Sequence, residues 1–218
     1  QLGFAENSFP SATHNRYIHS LGAMETASRA FDVIAQGFGA KAAIRAPQFR
    51  AVLRLAALLH DVGHGPLSHT TEFAMPHVTK LGLPKVSGED RKATHEDYTL
   101  KIILDSSLTP NLIKASAPHQ FGPAHIAALI DTTSPSPDSF FEVDGVDYRP
   151  LLGQLISSEL DADRMDYLRR DSLHAGVSYG QFDFGWLVGN LSHHIKDNCA
   201  YLALEHRALY AFEDFLIS

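Results

Sequence analysis

A chain of 218 residues, 44% hydrophobic and 20% charged, carries enough apolar material for one domain with a sizeable core, and this composition excludes intrinsic disorder. Its net charge of -7 argues against non-specific nucleic-acid binding, which needs a basic surface. One cysteine, Cys199, excludes an internal disulfide framework and a cysteine-built zinc site.

The same cysteine usage fits a reducing cytoplasm, and cytoplasmic location is the expectation. No apolar run reaches the ~18 residues of a membrane span, and no signal peptide is visible. The chain opens without Met and stops inside an apolar helical pattern, so both ends read as cuts in a longer parent.

Residues 1–13 read as loop, with Thr13 as the N-cap of a helix running from His14 to about Phe38. Its apolar positions Ile18, Leu21, Met24, Phe31, Ile34 and Phe38 recur at helical spacing. Arg16 and His19 are neighbours on that helix. Pro47 suits the first turn of the next one. There Phe49, Val52, Leu53, Leu55, Ala56, Leu58 and Leu59 are apolar nearly all round, so the helix is central and buried.

That helix ends in His60-Asp61. Adjacent residues project about 100° apart on a helix, so both can reach one ion only near its end. Ending a buried helix on such groups is costly unless they are paired or bind an ion. Imidazole and carboxylate are the usual ligands of a divalent cation not held by sulfur. Gly63 and Gly65 let the backbone turn sharply and Pro66 stops the helix, with His64 one turn beyond His60 and His69 shortly after.

A short helix is expected over residues 68–74 and a polar loop over 82–93. Thr94 caps the next helix in a capping-box variant with Asp97. Dipole placement explains Glu96 and Asp97, but His95 has no such role. Tyr98, Ile102 and Ile103 are expected to give that helix its apolar side. Pro110 and Pro123 start helices, and residues 134–139 read as an exposed loop. Pro150 opens a long helix ending at Gly176. On it Asp163, Tyr167 and Asp171 are spaced by four on one stripe, flanked by Arg164. Seven charged residues in the eleven positions 161–171 interrupt an otherwise core-like helix. Residues 199–204 are expected as one strand of a hairpin, and Glu205 begins a last helix.

In order, the chain thus carries Arg16 with His19, His60-Asp61, His95-Glu96 and Asp163. This resembles the HD-domain superfamily of metal-dependent phosphohydrolases, most of all its branch of deoxynucleoside triphosphate triphosphohydrolases and their bacterial relatives. The resembling segments are residues 13–24, 58–69, 94–96 and 160–176.

The resemblance implies an all-α HD-type helical bundle over residues 1–218 with a minor C-terminal β-hairpin. It implies one divalent ion, which this ligand set accepts as iron, manganese, zinc, nickel or magnesium. It makes His19, His60, Asp61 and Asp163 the ligands and Arg16 a phosphate contact. It places His64, His69 and His95 in the active site, with His69 protonating the leaving oxygen and Glu96 orienting His95. Arg164, Tyr167 and Asp171 would face the substrate. The family's triphosphohydrolases usually have Lys where Arg164 stands, which keeps the charge but changes the donor geometry.

The expected partner is a nucleotide or other phosphate ester, plausibly a deoxynucleoside triphosphate cleaved to nucleoside and triphosphate. No membrane partner is expected, and a homo-oligomer is allowed. The alternatives are a nucleoside monophosphate phosphatase, a phosphodiesterase, a poorly catalytic nucleotide-binding regulatory module, and a structural metal site.

Overall fold

A computed structural model describes residues 5–83 and 89–218. The expected loops at 1–13 and 82–93 lie partly outside those residues. Helices α1 (Arg16–Ile34) and α2 (Ala40–Leu59) pack along each other at the centre. Phe31, Ile34, Phe49, Val52 and Leu53 meet there with essentially no exposure, each burial contributing about 1.5–3 kcal/mol. Helix α3 (His95–Leu104) and α4 (Thr109–Ser116) pack on α5 (Pro123–Ile130), which in turn packs on α2. After α6 (Arg149–Gln154), helix α7 (Ala162–Ala175) covers α1. Helices α8 (Phe184–Gly189) and α9 (Leu209–Ile217) close the C-terminal side. Among the described residues no helix is long and apolar enough to cross a membrane.

The fold is mostly helical but not all-α. Strands β1 (Glu142–Val143) and β2 (Val146–Asp147) form a small hairpin, and β3 (Leu191–Lys196) and β4 (Cys199–Leu204) a longer one. A parallel pairing of Asp147 with Cys199 joins them into a four-stranded sheet of order β1-β2-β4-β3. Both turns have positive φ at their two central residues, Asp144-Gly145 and Asp197-Asn198. That conformation matches the twist of a two-residue hairpin. The Asp-Gly pair between two valines is a local hairpin signal.

Several boundaries also move. Helix α1 is capped by Asn15, not Thr13, because His14 is drawn out of helical register toward Asp171. Ile18 and Leu21 are exposed, and the buried face at that end is His19, Ala23 and Thr26. Helix α2 begins at Ala40 and takes Pro47 into its interior. Four strong helix formers in residues 40–43 and the burial of Ala42 outweigh one missing N–H. The buried face of α3 is Thr99, Leu100 and Ile103, with Tyr98 and Ile102 only partly covered. The single helix expected from Pro150 to Gly176 is two, because the Asp161 carboxylate accepts from Ser158 N–H and Arg164 N–H and so starts α7 afresh. The 68–74 helix has 3₁₀ geometry, and a 3₁₀ turn at His206–Ala208 precedes α9.

Candidate metal centre

Chemistry concentrates where α2 ends. His60 caps the helix, and two turns follow, Val62 N–H donating to the Leu59 carbonyl and His64 N–H to that of Asp61. Gly63 then lies against α3. Its N–H donates to Thr99 Oγ1 (3.0 Å), and that hydroxyl donates to the His60 carbonyl (3.1 Å). A Cβ on Gly63 would fall 2.1 Å from the His95 carbonyl oxygen. Close approach therefore requires this glycine, while the positive φ values of the loop fall on Leu67 and Ser68. The contact stacks the His64 ring on that of His95, centroids 3.8 Å apart.

Two other helices reach the same corner. The cap by Asn15 starts α1 so that His19 points inward, 8% exposed. The cap by Asp161 puts Asp163 in the first turn of α7, where the helix dipole favours a carboxylate. His19 Nδ1–H donates to Asp166 Oδ2 (2.8 Å), and His60 Nδ1–H donates to the Ala57 carbonyl (2.7 Å). Each ring is left with Nε2 to offer, and both lie close to Asp163 Oδ1, at 2.8 Å from His19 and 3.4 Å from His60. The Asp61 carboxylate stands 3.9 Å from His19 Nε2 and 3.6 Å from that of His60. His60 Nε2 is buried without a hydrogen-bond partner. Two imidazole nitrogens, two carboxylates and one orphaned ring nitrogen fit a divalent cation.

In the metal-free chain, protons hold this corner together. Burial works to lower the His19 pKa, but the Asp163 and Asp166 carboxylates outweigh it and raise it to about 9. Burial also opposes charge on His60, yet Asp163 and Asp61 leave its pKa raised. Burial would lift Asp61, but His64, His60 and Arg16 hold it at about 2. Asp163 is held well below the usual carboxylate range, against its burial, by His19 and His60.

A cation must displace the His19 proton. Apparent Co²⁺ affinity should therefore climb at least about tenfold per pH unit from pH 7 as the His19 proton is lost, more steeply wherever His60 is also protonated, and the His19 part should level off near pH 9, which calorimetric titration across that range checks. The metal-free fold runs the other way. A raised imidazole pKa gives stability fully present below 6.5 and lost as pH rises through about 9, so its Tm should fall over that interval.

Sequence reasoning missed the group that aims His19. Asp166 takes Nε–H (2.8 Å) and a second N–H (2.7 Å) from Arg170, and packs so tightly on α1 that a Cβ on Gly22 would lie 1.9 Å from its Oδ1. A carboxylate fixing a ligating imidazole sets both its tautomer and its orientation. Asp166→Asn should weaken metal binding by about 10–100-fold with helix content unchanged, read by competition with a chelating dye. The available signal was the i+3 spacing of Asp166 from Asp163.

A cleft of about 270 Å³ opens beside the corner, lined among others by Arg16, His64, His69, His95, Tyr167 and Asp171. Arg16 ion-pairs with Asp61 and donates to Ser68 Oγ. His69 stands at the mouth, its side chain 67% exposed, with edge contacts to His64 and His95. Glu72 hydrogen-bonds His95 Nδ1 and lies 3.3 Å from His69 Nδ1. Burial works to raise the Glu72 carboxyl, but His95 and His69 together outweigh it and hold it below its ordinary value. These four side chains come close enough to share a cation as well.

Two expected roles need correction. Glu96 is exposed, and the carboxylate at His95 is Glu72, because His95 opens α3 with its ring turned toward the 68–74 turn. Arg164 does not face the cleft. Its guanidinium lies over the Phe215 ring, 5.0 Å from the centroid, and donates to the Leu216 carbonyl and Glu159.

The HD domain profile matches residues 16–171. The chain belongs to the HD-domain family. It is 32% identical over its whole length to uncharacterized protein YwfO of Bacillus subtilis (strain 168), 41% of which it covers. Over 84% of its length it is 30% identical to human deoxynucleoside triphosphate triphosphohydrolase SAMHD1, 29% of which is covered. A crystal structure of a phosphohydrolase from Bacteroides thetaiotaomicron VPI-5482 superposes with TM-score 0.66 and 26% identity over 99% of this chain and 42% of that one. The chain thus spans less than half the length of each of these proteins.

Proposed function

We propose that the protein is a metal-dependent phosphohydrolase acting on a nucleotide, with deoxynucleoside triphosphates as the substrate class and nucleoside and triphosphate as products. The observation that carries this reading is the convergence of His19 and His60 Nε2 on one oxygen of Asp163 at the floor of a cleft holding Arg16 and three further imidazoles. His19, His60, Asp61 and Asp163 would hold the ion, which would supply Lewis acidity to a phosphate oxygen and to the attacking water.

The remaining roles belong to the chain. Arg16, ion-paired with Asp61 at the cleft, would bind a phosphate oxygen. His69, at the mouth of the cleft, would hand a proton to the leaving oxygen, with Glu72 and His95 holding its orientation. Tyr167 and Asp171 occupy the part of the cleft that takes the sugar, and His14 Nε2–H fixes Asp171 at 2.7 Å.

One observation favours a second reading. With Arg164 engaged elsewhere, Arg16 is the only permanent cation lining the cleft among the described residues, a light complement for a triphosphate. A nucleoside monophosphate phosphatase or a phosphodiesterase needs less. Incubating metal-loaded protein with a panel of deoxynucleoside tri- and monophosphates and cyclic nucleotides, followed by phosphorus NMR, separates these. Triphosphate as product supports the first reading. Inorganic phosphate or a ring-opened monophosphate supports the second, and no turnover with any of them counts against both.

A further inference from the structure

The metal corner has two open sides. Asp61 and Asp163 border the cleft described above, and they also border a second cavity of about 320 Å³ between α3, the end of α5 and the 156–161 turn. His60 borders only the second.

The two spaces differ in charge. The cleft carries Arg16 and imidazoles, which suits phosphate. The second cavity carries the carboxyl groups of Glu96, Asp97, Asp131 and Asp161 besides the two ligand carboxylates. Among the described residues its one permanent cation is Arg91, which is committed to Asp97 (2.6 Å) and Glu89 (2.6 Å). Its carboxylates outnumber its cations, and such an excess attracts cations and repels phosphate. At its inner end sits the buried, unpartnered Nε2 of His60. With Nδ1–H held by the Ala57 carbonyl, Nε2 is the ring atom left to face a cation, between Asp163 at 3.4 Å and Asp61 at 3.6 Å.

We propose that this acidic cavity is the route by which a hydrated divalent cation reaches the metal centre, separate from the cleft that takes the phosphate. The inference rests on reading the His19–His60–Asp61–Asp163 corner as a metal centre. It gives Glu96 a part the sequence did not suggest, that of drawing cations to the cavity. Carboxylates along the path would offer the ion oxygen ligands before it reaches the imidazoles. A centre with its own inlet can be loaded while phosphate fills the cleft.

The test is the rate of Co²⁺ uptake by chelator-stripped protein, followed by the visible absorption of bound cobalt in a stopped-flow instrument. Ser157 is exposed at the cavity and belongs to neither the ligand set nor the cleft. Ser157→Lys should slow uptake about tenfold at low salt, and Glu96→Gln by a smaller factor. Both effects should shrink at 0.5 M salt, where screening shortens to a few ångströms. Ser157→Gln, a neutral residue of similar reach, should stay within about twofold of wild type. The final stoichiometry should be one cobalt per chain in all, and inorganic triphosphate should not slow uptake at a fixed free Co²⁺ concentration, which a metal buffer sets because triphosphate itself chelates the ion.

Unchanged uptake in Ser157→Lys overturns the proposal, as does uptake that triphosphate blocks at fixed free Co²⁺. Wild-type protein that binds no cobalt at any pH overturns instead the metal-centre reading beneath it.

Discussion

Asp163→Ala should abolish metal binding and turnover together. Both imidazole nitrogens lie near one oxygen of this residue, so its loss removes the carboxylate that stands nearest to both His19 and His60 and leaves only Asp61. Changes one shell further out typically cost 10–100-fold in metal affinity or activity, and removal of a ligand should exceed about a hundredfold. Metal content after dialysis measures the first effect, and product release the second. Far-UV circular dichroism should hardly change, because the side chain is 34% exposed and fills no core space.

The same variant has a signature in the metal-free chain. The His19 pKa, raised to about 9 with Asp163 among its causes, should fall toward its ordinary value, which proton NMR of the imidazole reads directly. A variant that keeps one ion per chain would show that Asp163 is not a ligand.

Gly63→Ala should be the most destabilising single methyl in the region. The added carbon would meet the His95 carbonyl oxygen at 2.1 Å and the Thr99 nitrogen at 2.3 Å, both backbone atoms of α3. Neither can swing aside as a side-chain tip can. Either the turn leaves the helix, breaking the Thr99 hydroxyl bridge to Gly63 and His60, or α3 shifts and unstacks His95 from His64. Overpacking of this kind costs about 3 kcal/mol. For a domain of this size that lowers Tm by roughly 6–12 °C. Thermal unfolding checks it, with Gly65→Ala as the control. There the new carbon finds only Thr71 Oγ1 at 3.4 Å, and the change should stay within about 0.5 kcal/mol. Equal effects from the two substitutions would refute the close-approach argument.

Local chemistry is what the sequence determined by itself. The Thr94–Asp97 capping box, the proline starts of α4 and α5 and the Gly176 stop of α7 each depend on groups within a few residues. So does the strain of ending a buried helix on His60-Asp61, which singled out that corner before any coordinates. The order of the motifs pointed to the HD-domain family, because motif order survives where identity is low.

Tertiary structure decided what depends on residues far apart in the chain. Periodicity gave α1 an apolar face through Ile18 and Leu21, yet α7 packs on the face carrying His19. Polar side chains that will be paired after folding look like solvent-facing ones in a sequence. For the same reason Asp166 looked like one more surface charge, Glu96 stood in for Glu72, and Arg164 was assigned to a cleft it turns away from. A residue's neighbours along the chain fix its backbone. The direction and partner of a long charged side chain are fixed only when distant helices close around it.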